Sequence, residues 1–258
     1  MGEKFLRPDF TANIYKYYIK KGKSVNIFGI RGIGKSRFIE DLKSLIDKDT
    51  HFITLNMRSL RTDYSKFIKR LEEELSFNDG FDKVELVLEK FSRKKGKKIL
   101  VLEQFESLFE LNHHEKFDFD FFEQLNSFKN REDVLLLLLS THNYKHEPYY
   151  KDGKLTTSPL DIPNIQEITP LMQKEIEDEL QRNIDKDLGF ETLAGLIMGK
   201  EKPYELLQFI IEKLEMNNYN EQESLWTNFD VWEKEFSKIN NIPLNIKARK
   251  KYKESDVK

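Results

Sequence analysis

The chain has 258 residues, 38% apolar and 34% charged, with a formal net charge of −2 and no cysteine. That length suits one large domain, or a core domain with a smaller second one. The cysteine count excludes disulfides and thiolate zinc sites and fits a reducing compartment. The near-zero net charge gives no global basic field to recruit nucleic acid. Phe is abundant, which forecasts a core built from Phe, Leu and Ile. The first ten residues, MGEKFLRPDF, hold no apolar core of a secretion signal. Val134–Leu139 is the longest apolar run and is far too short to span a bilayer. The expectation is a cytoplasmic protein with no membrane partner.

In chain order, Phe10–Lys20 reads as a short helix carrying Ile14, Tyr17, Tyr18 and Ile19, ended by Gly22. Ser24–Phe28 is a β-prone run. It leads into Gly29-Ile30-Arg31-Gly32-Ile33-Gly34-Lys35-Ser36, which has the form G-x-x-x-x-G-K-S. This is the phosphate-binding loop of P-loop NTPases. Its glycines let successive backbone N–H groups turn toward phosphate oxygens. The following helix adds the positive end of its dipole. Lys35 is expected to reach the β- and γ-phosphates, and Ser36 to hold Mg²⁺ through its hydroxyl. The helix Ser36–Ile46 places Phe38, Leu42, Leu45 and Ile46 on one face, and Arg37 in the turn beside the loop.

His51–Met57 is a second strand. Helical spacing then recurs in Tyr64, Phe67, Ile68, Leu71 and Leu75, and after a turn at Asn78–Gly80 in Val84, Val87, Leu88 and Phe91. A basic turn, Arg93–Lys98, precedes the apolar run Ile99–Leu102, which ends in Glu103-Gln104. Phe117, Phe121, Phe122, Leu125 and Phe128 make another one-sided helix. Val134–Leu139 has the continuous apolar character of a strand buried on both faces, and Ile165–Ile168 is a weaker fifth strand. Strands alternating with helices from residue 24 to 169 predict a parallel sheet with helices on both faces. Beyond Pro170 the chain reads as helices only: Leu171–Asn183, Leu188–Met198, Pro203–Met216 and Gln222–Ile239. The predicted organisation is a P-loop core (1–169), an α-helical domain (170–245) and a charged tail (246–258).

A P-loop ATPase needs a carboxylate for the Mg²⁺ shell and a group to orient the attacking water. Glu103 closes an apolar strand and can serve the metal. Gln104 cannot accept a proton at neutral pH but can orient a water by hydrogen bonds. Glu106 is the nearest further acid. The alternative register makes Glu103 the base and leaves no metal acid. Ser140-Thr141-His142-Asn143 ends the strand Val134–Leu139. Thr141 and Asn143 there, with His142, suit a sensor of the γ-phosphate or a plain turn. His113-His114-Glu115 and His142/His146/Glu147 have metal-ligating residue types, but adjacent histidines diverge in any regular element and no third ligand is evident, so no metal site is expected there. The basic turn Arg93–Lys98 and the tail lysines read as solvated charge, so nucleic acid is not the favoured partner.

The loop, ILVLEQFESLF at 99–109, LLLLLSTHN at 135–143 and GKEKPYELLQFIIEKL at 199–214 resemble a STAND-type ATPase, within the broader AAA+ additional-strand class. The resemblance covers residues 5 to about 215. It implies the strand order 5-1-4-3-2, binding of ATP and Mg²⁺, and a nucleotide-dependent switch of the kind used in signalling and defence. Phe5–Arg7 is similar to the family's entry segment beside the adenine, with Arg7 as a nucleotide contact. Pro203 resembles the proline of the helical domain that touches the nucleotide, although Gly199 is too far from it for the family's Gly-x-Pro. This chain carries neither the long sensor repeats nor the effector domain usual in the family, and no Arg lies between Thr141 and Ile165 where related ring ATPases place an arginine finger. Sensing or effector function would therefore come from a protein partner.

Three functions remain after this reading. The first is a slow ATP/ADP switch in signalling or defence. The second is a DNA-associated ATPase of the origin-recognition type. The third is a non-hydrolysing nucleotide-dependent binding protein, for which Gln104 is the supporting feature.

Overall fold

The structure is a computed structural model that describes residues 5–110, 114–143, 148–151, 154–157, 159–184, 189–217 and 222–242. His113, His146, Glu147, Leu188 and the charged tail 246–258 lie outside the described residues. The chain divides into two compact units, Met1–Thr169 and Pro170–Lys258.

The first unit is built on a five-stranded parallel sheet. Its strands are β1 (Val25–Phe28), β2 (His51–Asn56), β3 (Lys98–Glu103), β4 (Val134–Ser140) and, after an inserted hairpin of β5 (Pro148–Lys151) and β6 (Lys154–Thr157), β7 (Ile165–Glu167). Their spatial order is β2-β3-β4-β1-β7. With β7 counted as the fifth sheet strand, this is the order 5-1-4-3-2 that the resemblance implies. β3 and β4 occupy the middle, and every one of their apolar residues is buried. That is why the two runs read as unbroken hydrophobic stretches rather than as alternating ones.

Helices cover both faces. On one face Val25, Ile27, Ile99, Val101, Leu135, Leu137 and Leu139 meet α1 (Pro8–Ile14) and α2 (Lys35–Ser44) through Ile14, Phe38, Ile39 and Leu42. On the other, Leu100, Leu102, Leu136 and Leu138 meet α4 (Tyr64–Leu75), α5 (Val84–Ser92) and α6 (Phe119–Lys129). This second layer is rich in phenylalanine. Phe67, Phe117 and Phe121 pack edge to face with centroids 5.0–5.6 Å apart, and Phe91 stacks on Phe128 at 5.6 Å. Edge-to-face contacts set the positive ring edge against a negative ring face, which adds to their burial.

The boundaries differ from the sequence reading in instructive places. The first helix starts at Pro8, whose fixed φ suits a helix N-terminus, and its last turn, Tyr15–Ile19, widens into a π turn. The loop helix begins at Lys35, one residue early, because Gly34 at φ 92° is its N-cap. A four-residue helix, α3 (Met57–Leu60), follows β2, with the Asn56 side chain capping Ser59. The β5–β6 hairpin was not anticipated at all.

The second unit holds α7 (Gln173–Asn183), α8 (Glu191–Met198), α9 (Pro203–Asn217) and α10 (Gln222–Ile239). Leu225, Phe229, Trp232 and Phe236, the apolar stripe of α10, are buried, while Ile239 is exposed. Lys200 and Lys213 pair with Glu233 and Glu235 across this unit. Pro203 is the first residue of α9. No helix among the described residues is long and apolar enough to cross a membrane.

Candidate nucleotide site at the carboxyl edge of the sheet

In a parallel sheet all strands end on one edge, and here three ends lie side by side. Phe28 of β1 pairs with Ser140 of β4, and Leu139 pairs with Glu103 of β3. The Gly29 amide continues the ladder by donating to the Ser140 carbonyl at 3.1 Å. The loop Gly29–Gly34 therefore leaves the sheet at its carboxyl edge, beside the ends of β4 and β3, the edge where open α/β sheets take their ligands.

The loop's carbonyls are held by cations of the chain itself. The Lys35 ammonium donates to the Gly29 carbonyl and, at 3.0 Å, to the Ile30 carbonyl. Arg7, which is buried, donates Nη2 to the Ile33 carbonyl at 2.7 Å and Nε to the Thr169 carbonyl at 3.3 Å. In a trans peptide the N–H points opposite to the C=O. Fixing these three carbonyls turns the amides of Ile30, Arg31 and Gly34 the other way. Such an array of oriented amides is what anion-binding loops present. Gly32 and Gly34 take φ of 78° and 92°, where any other residue is strained. Gly29 is needed for space: a Cβ there would lie 2.1 Å from Ile168 Cγ2.

Ser36 and Glu103 meet. The Ser36 side chain hydrogen-bonds the Glu103 carboxylate. Burial pushes the Glu103 carboxyl above its ordinary value. The Ser36 bond opposes this, the negative charge of Glu40 adds to it, and Lys35 again opposes it. Glu40 sits one helical turn beyond Ser36 and was not singled out from the sequence. Its i,i+4 spacing from Ser36 was the signal available. The Ser36 hydroxyl and the Glu103 carboxylate are oxygen ligands of the kind a divalent cation takes, with the negative charge of Glu40 nearby, and the Lys35 ammonium beside them suits the phosphate oxygens such a cation carries. Among the described residues no three His, Asp or Glu side chains could hold a metal by themselves, so phosphate and water would complete such a shell.

The remaining sequence-selected residues separate. Gln104 directly follows Glu103 and adopts the left-handed conformation at φ 53°, from which the 3₁₀ turn Phe105–Phe109 starts. Glu106 lies in that turn with one carboxylate oxygen, Oε2, buried and without a hydrogen-bond partner. Arg37 is paired with Asp41 at 2.8 Å, and Asp41 also accepts the Leu6 amide at 2.8 Å. Asp41 thereby ties the entry segment to the loop helix. Ile30 and Arg31 are exposed. At the end of β4, Thr141 Oγ1 lies 3.1 Å from His142 Nδ1, and Asn143 is half-buried. The residue missed there is Ser140. It is fully buried, and its hydroxyl lies 2.6 Å from the His142 carbonyl and 3.3 Å from Asn26 Oδ1. A polar Asn26 in the middle of the apolar strand β1 was the visible clue. Pro203 belongs to the second unit.

No protein-family model and no curated protein matches the sequence. Solved structures do resemble it. The Orc1 protein of Aeropyrum pernix, solved in complex with DNA, superposes with a TM-score of 0.57 at 16% identity, over 92% of this chain and 67% of that one. Cdc6p of Pyrobaculum aerophilum gives 0.56 at 14% identity, over 83% of this chain. This chain spans 62% of the length of that protein. The replication initiator DnaA, bound to AMPPCP and single-stranded DNA, gives 0.55 at 11% identity, over 89% and 69% of the two chains. At these identities the likeness is one of fold, and the fold is that of the AAA+ P-loop ATPases.

Proposed function

We propose that this chain binds ATP with Mg²⁺ at Gly29–Ser36 and Glu103 and works as a slowly hydrolysing, DNA-associated nucleotide switch. The observation that carries the reading is the meeting of Ser36 with Glu103 beside Lys35, at the strand edge from which the glycine loop leaves. Lys35 would neutralise β- and γ-phosphate charge. Ser36 and Glu103 would hold the metal, and Gln104 would orient water, with Glu106 as the nearest acid to assist. Thr141 and Asn143, carried on the Ser140–Asn26 contact, would report the γ-phosphate. Arg7 would act by anchoring the loop at Ile33.

The DNA association draws on the neighbours. Orc1 was solved with DNA, and DnaA with AMPPCP and single-stranded DNA. They favour the DNA-associated alternative over the signalling or defence role that the STAND resemblance implies, and they turn against the expectation that nucleic acid is disfavoured. A non-hydrolysing binding protein is the second reading, favoured by Gln104 standing where a base would be.

A steady-state ATPase assay with and without DNA separates these readings, run on wild type, Gln104→Glu and Lys35→Ala. A rate that rises in Gln104→Glu supports a slow ATPase limited by the missing base. Absent turnover in both, with tight ATP binding, supports the non-hydrolysing reading. Lys35→Ala should weaken ATP binding at least about tenfold, the loss of one charge-assisted contact. Unchanged affinity in calorimetry overturns the site.

A further inference from the structure

We infer that the opposite, amino edge of the sheet docks the phosphate backbone of duplex DNA. This rests on the DNA-associated reading above and assigns it a surface. From Phe10 to Ile39 the chain carries seven cations and no Asp or Glu. Arg31, Lys35 and Arg37 belong to the loop edge. Of the other four, Lys16 lies in the π turn and Lys20, Lys21 and Lys23 lie between it and the start of β1, and all are exposed. Among the described residues none of the four joins an ion pair.

Their ammonium groups are held by rings rather than by carboxylates. Lys16 and Lys21 sit 5.2 and 5.4 Å from the centroid of Tyr17, and Lys20 sits 5.2 Å from that of Tyr15. A cation on a ring face is oriented without being neutralised. The array therefore stays positive.

A second segment extends it. Lys97 in the turn Arg93–Lys98 donates Nζ to the Ile19 carbonyl at 3.2 Å, which sets that turn against the end of the π turn. Lys95 is exposed beside it. Gly96, at φ 90°, lies so close to the Asp49 backbone that a Cβ would meet its carbonyl oxygen at 2.4 Å. The carboxylates in the neighbouring turns are Asp47, Asp49, Glu132 and Asp133, together with Glu89, which is engaged by Arg93. The two segments hold Lys16, Lys20, Lys21, Lys23, Lys94, Lys95, Lys97 and Lys98, against those five carboxylates.

The chemistry selects duplex phosphate. Tyr15 and Tyr17 already carry ammonium groups, so they brace lysines rather than offer open faces for stacking of single-stranded bases. An anionic membrane is the competing anionic surface, but membrane-surface helices insert an apolar face. Here Ile14 and Ile19 are buried in the core at 1% and 2% exposure. Sequence-independent contact with phosphates asks only for lysines on one surface. β1 has four residues, so about 13 Å of strand separates this edge from the glycine loop. DNA held there leaves the nucleotide site open.

The test uses the full chain and a fluorescent DNA duplex of mixed sequence, read by anisotropy across a KCl series. The variants are K16E/K20E/K21E/K23E and its neutral counterpart K16Q/K20Q/K21Q/K23Q, so that a folding defect in one leaves the other. The wild type should show a log K against log salt slope steeper than either variant by about 3.6, four contacts at about 0.9 each. It should also bind at least about tenfold more tightly at low salt, while calorimetric ATP affinity stays the same in all three. If both variants bind duplex as wild type does, this surface is wrong and the DNA-associated reading stands. If wild type binds no duplex even at low salt, that reading falls and takes the surface with it. Binding to phosphatidylserine vesicles in place of DNA, lost in the variants, would also overturn the inference, by assigning the patch to lipid.

Discussion

Gly29→Ala tests how the glycine loop is mounted on the sheet. Gly29 takes no positive φ, so its requirement is spatial. The added methyl would stand 2.1 Å from Ile168 Cγ2, against an ordinary carbon–carbon contact of about 3.5–4.0 Å. Ile168 cannot retreat freely. It is 1% exposed, and its amide is bonded to the Phe28 carbonyl at 2.8 Å. Relief demands more than an ångström of movement at the junction of β1 and β7. Overpacking of this kind costs about 1–3 kcal/mol. In a unit of this size that lowers the melting temperature by about 2–4 °C for each kcal/mol. Ile168→Ala alone opens a cavity and costs about 2–5 kcal/mol. In the double variant the new methyl enters space vacated by Ile168 Cγ2 and the clash disappears, so its loss should fall short of the sum by at least about 1 kcal/mol. Urea denaturation of the four proteins measures the cycle. Additive losses would refute the claim that the first glycine of the loop serves the β1–β7 contact.

The folded pKa of Glu103 lies above its unfolded value because of burial, so its ionisation weakens the fold as pH rises through the folded value. Glu103→Gln should thus be more stable than wild type without nucleotide at about pH 8, with the gap closing toward about pH 4, and should lose the Mg²⁺ dependence of ATP binding; urea melts at both pH values and calorimetry check this. Asp41→Ala strands the buried Leu6 amide and releases Arg37, and should cost about 1–3 kcal/mol in the same melts. Gln104→Gly relieves a left-handed residue worth about 1–2 kcal/mol, so stability should hold or rise while any ATP turnover falls. Arg7→Lys keeps the charge but loses the fork that spans Ile33 and Thr169, and should lower both the melting temperature and ATP affinity.

The sheet was legible because its central strands are buried on both faces, and six consecutive apolar residues at Val134–Leu139 admit few other readings. The glycine loop was legible because its motif is defined by spacing, which survives in one dimension. The hairpin Pro148–Lys151 with Lys154–Thr157 escaped notice. Its strands are four residues long, too short for alternation to stand out in the sequence. The partners of Arg7 and Asp41 were invisible for a different reason. Arg7 reaches Thr169 across 162 positions, and Asp41 meets Leu6 across 35. No local period encodes such pairs. Glu40 was within reach, since its distance from Ser36 is one helical turn, but only the register of Glu103 shows that the two acids share a field.

The cations of the loop account for the shape it holds. Three carbonyls in a tight turn repel one another unless something positive gathers them. Arg7 does this for Ile33 from inside the core, where a guanidinium always keeps its charge. That contact has no reason to change when an anion arrives. Lys35 does the same for Gly29 and Ile30, but its half-exposed ammonium has three donors and can share them with an incoming phosphate. On the proposed reading, ATP binding would ask for a redistribution of one ammonium's hydrogen bonds rather than for refolding of the loop. The cost of ordering the glycines is met when the chain folds rather than when ligand binds, which is how preorganisation raises affinity. The same division would give the two cations different roles under the proposed function: Arg7 would belong to the scaffold of the site, and Lys35 to its chemistry.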